Sequence, residues 1–274
     1  GVQSFDDAGL RWLGRIHSAA EAEAAFRAAR AAGFANINLD FIFGLPDQQS
    51  DVWLRTLERA IALGPEHLSL YSLTVERGTP LYDRVRRGLV PAADDDLAAV
   101  LYELACDRLA RAGYQQYEIS NWAKEVGEGA NRRTMNSSFA CRHNLVYWHR
   151  EPYLGFGPGA HSFDRAAERR WWNVRPVPQY IQRIEAGRSP EADGELIDRR
   201  TAMAETMMLG LRLVQEGVAD AAFREQFGLG LDEAFGAEIA RLTAAGLLER
   251  LPDRVRLTPA GRLLGNQVFA AFMP

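Results

Sequence analysis

Between residues 18 and 119 the chain alternates helix-forming and strand-forming runs, and that alternation restricts the available folds more than any other feature. Ser18 followed by Glu21 is a capping box, the Ala-rich run 21–32 has high helix propensity, and Gly33 closes it. Residues 36–43 read as a strand rich in Ile, Leu and Phe, ended by Gly44-Leu45-Pro46. Ser50 is placed to cap a helix over 51–63, which Gly64-Pro65 stops. A second strand is expected over 67–73, a long helix over 95–112 closed by Gly113, and a third strand over 115–119. Strand, helix, strand in this rhythm predicts βαβ units and a parallel sheet, as a barrel or a doubly wound sheet. In both, ligands bind at the carboxyl ends of the strands. That singles out Gln3, Asp40, Ser72, Glu118 and Asn121.

The chain has 274 residues, 47% of them hydrophobic, which suits one large domain or a domain with a small appendix. A formal net charge of −4 with both signs mixed argues against a dedicated nucleic-acid binder or a membrane-surface protein. No apolar run approaches the roughly 20 residues of a membrane span, and no signal peptide opens the chain. The two cysteines, Cys106 and Cys141, make no disulfide framework and point to a reducing compartment, so a cytoplasmic location is expected. The opening Gly1-Val2-Gln3-Ser4-Phe5 reads as the tail of a strand, so the sequence is expected to start inside a fold.

After residue 124 the texture changes twice. Residues 124–140 are polar and rich in Gly, Asn and Ser, and read as an exposed loop. An aromatic, His-bearing stretch follows over 141–163, with a short strand expected over 171–174. Helices over 197–214, 220–227 and 231–245, a hairpin over 247–257 turning at Pro252-Asp253, and a last helix over 259–272 make a winged-helix pattern. The expected domains are thus 1–123, 124–194 and 195–274. Winged helices raise nucleic-acid binding, which needs cations facing phosphates. Here the third helix carries Asp232, Glu233 and Glu238 against Arg241, and from residue 195 onward eleven acidic residues face nine arginines. The module is expected to pack or to bind a partner, not nucleic acid.

Asp40 shares a strand face with Asn38, opposite Leu39, Phe41 and Phe43. Its carboxylate needs a cation, donors or water. It reads equally as an acceptor of ligand hydroxyls, a helix cap or the partner of a barrel arginine. Gln3 and Arg15 offer an amide and a carboxylate-binding guanidinium near the same strand ends. Residues 141–148 place Cys141, His143, Asn144, Tyr147 and Trp148 together; they suit either a metal or flat aromatic cofactor, or a loop packed on the core. Their spacing is not that of a zinc site. Gly155-Phe156-Gly157-Pro158-Gly159 has no phosphate-loop sequel and reads as a tight turn leading to His161.

In order, these segments resemble a known family. Gly1-Val2-Gln3-Ser4-Phe5, Leu13-Gly14-Arg15-Ile16-His17, Asn38-Leu39-Asp40, Gly44-Leu45-Pro46-Asp47-Gln48 and residues 114–121 are similar to radical S-adenosylmethionine proteins of the oxygen-independent coproporphyrinogen III oxidase group. His143-Asn144-Leu145-Val146-Tyr147-Trp148 resembles the His-Asn-x-x-Tyr-Trp motif of its HemW haem-chaperone branch, and Tyr153 through Ser162 continues the likeness. The resemblance implies a partial (β/α)6 radical-SAM TIM-like barrel followed by a small helical, winged-helix-like domain. It implies S-adenosylmethionine contacts at Gln3, Arg15 and Asp40, the last to ribose hydroxyls, and haem near His143, Asn144, Tyr147 and Trp148. It implies a [4Fe–4S] cluster in the complete protein, delivery of haem or porphyrin to a haem-acceptor protein, and peripheral contact with membrane respiratory proteins. The alternatives are coproporphyrinogen oxidation in porphyrin biosynthesis and a nucleic-acid- or partner-binding winged-helix protein. The family's three-cysteine cluster loop has no counterpart in this sequence, so any cluster ligands are expected upstream of residue 1. A barrel lacking its first strands is expected to expose sheet edges and an apolar interior.

Overall fold

A computed structural model describes residues 1–124 and 139–274. The chain divides into two compact units, Gly1–Ala140 and Cys141–Pro274. The polar run expected as a loop lies, over 125–138, outside the described residues.

In the first unit the elements run α1 (Asp7–Trp12), α2 (Ala19–Ala31), β1 (Asn38–Phe43), α3 (Ser50–Leu63), β2 (His67–Ser72), α4 (Pro80–Arg86), α5 (Asp95–Arg111), β3 (Tyr114–Glu118) and β4 (Asn121–Lys124). The Ser18–Glu21 capping box forms as expected, each side chain meeting the other residue's backbone N–H. Ser50, by contrast, is the first helical residue of α3, and the N-cap, Gln49, supplies no side-chain bond. Gly64 ends α3 at φ 68°, a left-handed conformation that favours glycine.

Among the described residues the strands of this unit form one four-stranded sheet in the order β1-β2-β4-β3. The sheet is not wholly parallel, contrary to the expectation from sequence. β1 and β2 are parallel, with Asn38 beside His67 and Asp40 beside Ser69. β4, however, returns antiparallel between β2 and β3. The hairpin at Ile119-Ser120 explains the difference: its return strand has only four residues, too few to announce itself by periodicity. On the other flank Gln3 makes a single parallel bridge to Phe41.

One sheet face is apolar and buried. Leu39, Phe41, Phe43, Leu68 and Leu70 pack with Trp53, Leu57, Leu101, Ala105 and Leu109 from α3 and α5. The Trp53 indole N–H donates to the Leu101 carbonyl at 2.9 Å, so its burial leaves no orphan donor. The opposite face carries Asn38 and Asp40, as the alternation predicts, together with His67 and Ser69 from β2.

In the second unit α6 (Arg142–Trp148) precedes β5 (His161–Asp164), β6 (Arg169–Asn173), α7 (Val177–Glu185) and β7 (Glu191–Leu196). These three strands form an antiparallel sheet in the order β5-β6-β7. Then follow α8 (Arg199–Gly210), β8 (Val218–Ala219), α9 (Asp220–Phe227), α10 (Leu231–Ala244), β9 (Leu248–Arg250), β10 (Arg254–Leu257), α11 (Pro259–Leu263) and α12 (Gly265–Ala270). The order helix, strand, helix, helix, hairpin is that of a winged helix, with β8 completing a sheet β8-β10-β9. The last helix expected from sequence is broken at Leu264 into two short ones.

Candidate functional site

Alternation along β1 turns Asn38 and Asp40 away from the helices. The backbone N–H of Gln3 donates to the Asp40 carbonyl at 2.7 Å, and that of Ile42 donates to the Gln3 carbonyl at 2.9 Å. Gln3 and Asp40 are therefore neighbours, held by backbone bonds, with Gln3 at φ 67°. That conformation is uncommon for a residue with a Cβ. Neither a helix cap nor an arginine takes the Asp40 carboxylate. Its Oδ1 accepts from the Asn38 amide nitrogen at 2.5 Å, and among the described residues Oδ2 has no hydrogen-bond or ion-pair partner. Arg15 lies exposed after α1, its backbone N–H bonded to the Leu10 carbonyl. Among the described residues no hydrogen bond or ion pair joins its side chain to Gln3 or Asp40.

Residues that periodicity alone did not single out complete this face. His67 is 5% exposed. Its Nδ1 lies 2.7 Å from Asn38 Oδ1 and its Nε2 lies 2.9 Å from the Tyr117 hydroxyl. Burial pushes the His67 pKa down to about 4, against a smaller opposing pull from Asp40. The register that seats His67 beside Asn38 is the signal that could have found it. Further along, Glu118 and Asn121 are both buried and hydrogen-bonded to each other across the β3–β4 turn, while Ser72 is exposed.

In the second unit α6 splits the expected haem-binding residues between two helix faces. His143 is exposed and meets the Tyr147 ring edge-on, centroids 5.0 Å apart. Tyr147 in turn meets Tyr153 at 4.7 Å. Among the described residues the His143 ring makes no hydrogen bond. Trp148 faces elsewhere: the Arg212 guanidinium lies 5.0 Å above its ring, and Arg212 also covers Phe269. Its indole nitrogen is buried and has no hydrogen-bond partner among the described residues. Asn144, one turn before Trp148, is half-buried. His143 and Tyr147 thus form an open aromatic surface with Tyr153, whereas Trp148 packs against the following helices.

The glycine run after Tyr153 is a turn, as expected. A side chain at Gly155 would collide with the His161 carbonyl, and Asn173 Nδ2 donates to the Gly157 carbonyl at 2.9 Å. The same unit holds an ionic cluster that no local pattern announced. Arg150, 4% exposed, donates to Glu168 at 2.6 and 3.1 Å and to Glu205 at 3.0 Å. Arg170 joins Glu205 to Glu195.

No group of three or more His, Cys, Asp or Glu side chains able to hold a metal occurs among the described residues. With Cys106 in one unit and Cys141 in the other, the chain has no trio of thiolates, and its residues do not fit a three-cysteine cluster.

The fold is that of a radical SAM protein. A solved structure described as coproporphyrinogen III oxidase (HemN) from Escherichia coli, a radical SAM enzyme, matches 98% of this chain and 62% of its own, with a TM-score of 0.75 at 19% identity. The HemN C-terminal domain family matches residues 197–264. Similarity in sequence points to one branch: the heme chaperone HemW of Bacillus subtilis is 37% identical over 100% of this chain and 68% of its own length. The heme chaperone HemW of Mycobacterium tuberculosis is 38% identical over 98% of this chain and 63% of its own. The mouse radical S-adenosyl methionine domain-containing protein 1, mitochondrial, is 42% identical over 59% of this chain. The chain belongs to the HemW family. It spans roughly two thirds of the length of the bacterial relatives it matches.

Proposed function

We propose that this chain serves haem handling, binding haem on the surface formed by His143, Tyr147 and Tyr153 and passing it to an acceptor protein. The observation that carries the reading is the exposed, unbonded His143 imidazole set against an aromatic wall. A neutral imidazole is a common iron ligand, and aromatic faces suit a flat tetrapyrrole. Asn144 and Trp148 support this surface from the neighbouring helix face. In the first unit Gln3, Arg15 and Asp40 would hold S-adenosylmethionine, with Asp40 Oδ2 accepting from ribose hydroxyls. In a complete protein of this family the nucleoside and the [4Fe–4S] cluster would supply radical chemistry or a supporting structural role. Among the described residues no helix is long and apolar enough to cross a membrane; the same reading includes peripheral contact with membrane respiratory proteins.

The test is haem titration followed by absorbance. The wild-type chain is expected to shift the Soret band with saturable binding, and His143→Ala to lose the shift. If wild type shows no shift, the haem reading fails; if His143→Ala matches wild type, the ligand lies elsewhere.

Among the acids of α10, Asp232 pairs with Arg250, Glu233 with Arg224 and Glu238 with Arg200. This paired surface favours packing or a protein partner over phosphate binding.

A further inference from the structure

The polar face of the first unit has a direction. An ionised carboxylate only accepts hydrogen bonds, so the Asn38 amide nitrogen, 2.5 Å from Asp40 Oδ1, is the donor. That orientation turns Asn38 Oδ1 towards His67, 2.7 Å from Nδ1. An amide oxygen also only accepts, so Nδ1 carries the ring proton. In a neutral imidazole Nε2 is then the acceptor, and the Tyr117 hydroxyl, 2.9 Å away, donates to it. Ser69 Oγ adds a longer bond to Asn38 Oδ1 at 3.3 Å. For a neutral ring the links share one direction: flipping the Asn38 amide would set its oxygen against the Asp40 carboxylate, and moving the ring proton to Nε2 would set Nδ1 against the Asn38 oxygen.

We propose that Tyr117, His67 and Asn38 form a one-way donor chain that fixes the Asp40 carboxylate, holding Oδ1 and leaving Oδ2 for a pair of ligand hydroxyls. His67 is a positioning residue: it touches no ligand but sets the tautomer and the amide orientation on which Asp40 depends. Its burial, at 5% exposure, keeps the ring neutral near neutral pH, so that one proton sits on one nitrogen. A carboxylate locked in one rotamer loses less freedom on binding and keeps a fixed acceptor geometry. The positioning role rests on the proposal above that Asp40 meets a nucleoside; the direction of the chain does not.

Two measurements separate these claims. The first is nitrogen-15 NMR of the histidine rings in the full chain near neutral pH. His67 is expected as the neutral Nδ1–H tautomer, and Tyr117→Phe is expected to move the Nε2 resonance without changing the tautomer. An Nε2–H tautomer, or a doubly protonated ring near neutral pH, overturns the chain. The second is calorimetric titration with S-adenosylhomocysteine. Asp40→Asn is expected to weaken binding most. His67→Phe is expected to weaken it about tenfold alone and not at all in the Asp40→Asn background, the coupling expected of neighbours acting in series. His67→Gln, which keeps an amide donor for Asn38, is expected to recover part of the loss. If wild type fails to bind, or Asp40→Asn binds equally well, the nucleoside reading falls while the tautomer still decides the chain. If Asp40→Asn weakens binding but neither His67→Phe nor Tyr117→Phe does, the positioning role is overturned.

Discussion

His67 and His143 sit in different units and are treated in opposite ways. His67 is buried, with both ring nitrogens committed to Asn38 and Tyr117. His143 is exposed, and among the described residues its ring makes no hydrogen bond and meets the Tyr147 ring edge-on. An imidazole with both nitrogens engaged cannot ligate; it can only orient its neighbours. One with free nitrogens can bind iron but orients nothing. The same contrast extends outward. In the first unit a neutral hydrogen-bonded chain on one sheet face ends at one carboxylate. The second buries a charged cluster around Arg150 and leaves aromatic faces outside. A preorganised acceptor suits a ligand rich in hydroxyls, whereas exposed aromatic edges suit a flat one.

The largest effect should come from breaking the charged cluster. Glu205 accepts from both Arg150 and Arg170, and Arg150 is 4% exposed. Glu205→Ala removes one partner of a buried cation and should cost about 3 kcal/mol. Asn38→Ala in the first unit breaks hydrogen bonds at an exposed strand position and should cost only about 1 kcal/mol. Chemical denaturation of both variants, with hydrogen exchange followed separately in each unit, checks the difference. Equal losses would mean that the two polar networks are energetically alike.

Acid should separate the units next. The folded pKa of His67 is about 4 against an ordinary value of 6.5, so between those values the unfolded chain binds more protons. Stability of the first unit should therefore fall as pH drops from about 6.5 to 4, by up to about 3 kcal/mol, and level off below. His67→Phe should flatten that dependence. Exchange protection of β1 and β2 against pH, in wild type and variant, is the measurement; an unchanged slope in the variant would assign the acid sensitivity to other groups.

How far these features could be read beforehand follows from their range in sequence. The elements β1, α3, β2 and α5 lie within about two residues of where propensity, capping and glycine placed them, because those signals are local. The winged-helix order was legible for the same reason. β4 escaped because Asn121-Trp122-Ala123-Lys124 is too short for a pattern. β7 escaped because Glu-Ala-Asp-Gly-Glu-Leu has little strand propensity; it is held by backbone pairing with β6 and by arginines reaching Glu191 and Glu195. In the candidate site, strand alternation pointed to Asp40. His67 stands 29 residues from Asn38 and 50 from Tyr117, so only the fold brings them together.

A smaller effect of opposite sign is expected in the second unit. His149 Nε2 lies 3.1 Å from Glu216 Oε2, and that hydrogen bond, more than the accompanying charge attraction, raises the His149 pKa. A raised pKa stabilises the folded state fully below the ordinary value of 6.5 and loses that contribution as pH rises through the folded value. The side chain is 34% exposed, so solvent screening should hold the gain to roughly a few tenths of a kcal/mol. Glu216→Gln should remove it. Mild acidification would then loosen the first unit while slightly tightening the second, a divergence visible in exchange rates of β2 and α6 measured in one sample. Parallel responses in both units would erase the contrast.

The smallest expected stability change belongs to the residue with the largest expected functional role. His143→Ala deletes an exposed ring that makes no hydrogen bond among the described residues and meets the Tyr147 ring edge-on. Exposed substitutions of this kind stay within about 0.5 kcal/mol. Tyr147→Ala, by contrast, removes a half-buried ring packed against Tyr153 and should cost more, through lost apolar contact and the edge-to-face pair. Denaturant midpoints of the two variants, set beside their haem titrations, test whether ligation and scaffolding are divided as the geometry divides them. If His143→Ala destabilises the unit as much as Tyr147→Ala, the exposed imidazole is part of the packing, and its freedom from structural duty no longer argues for a ligand.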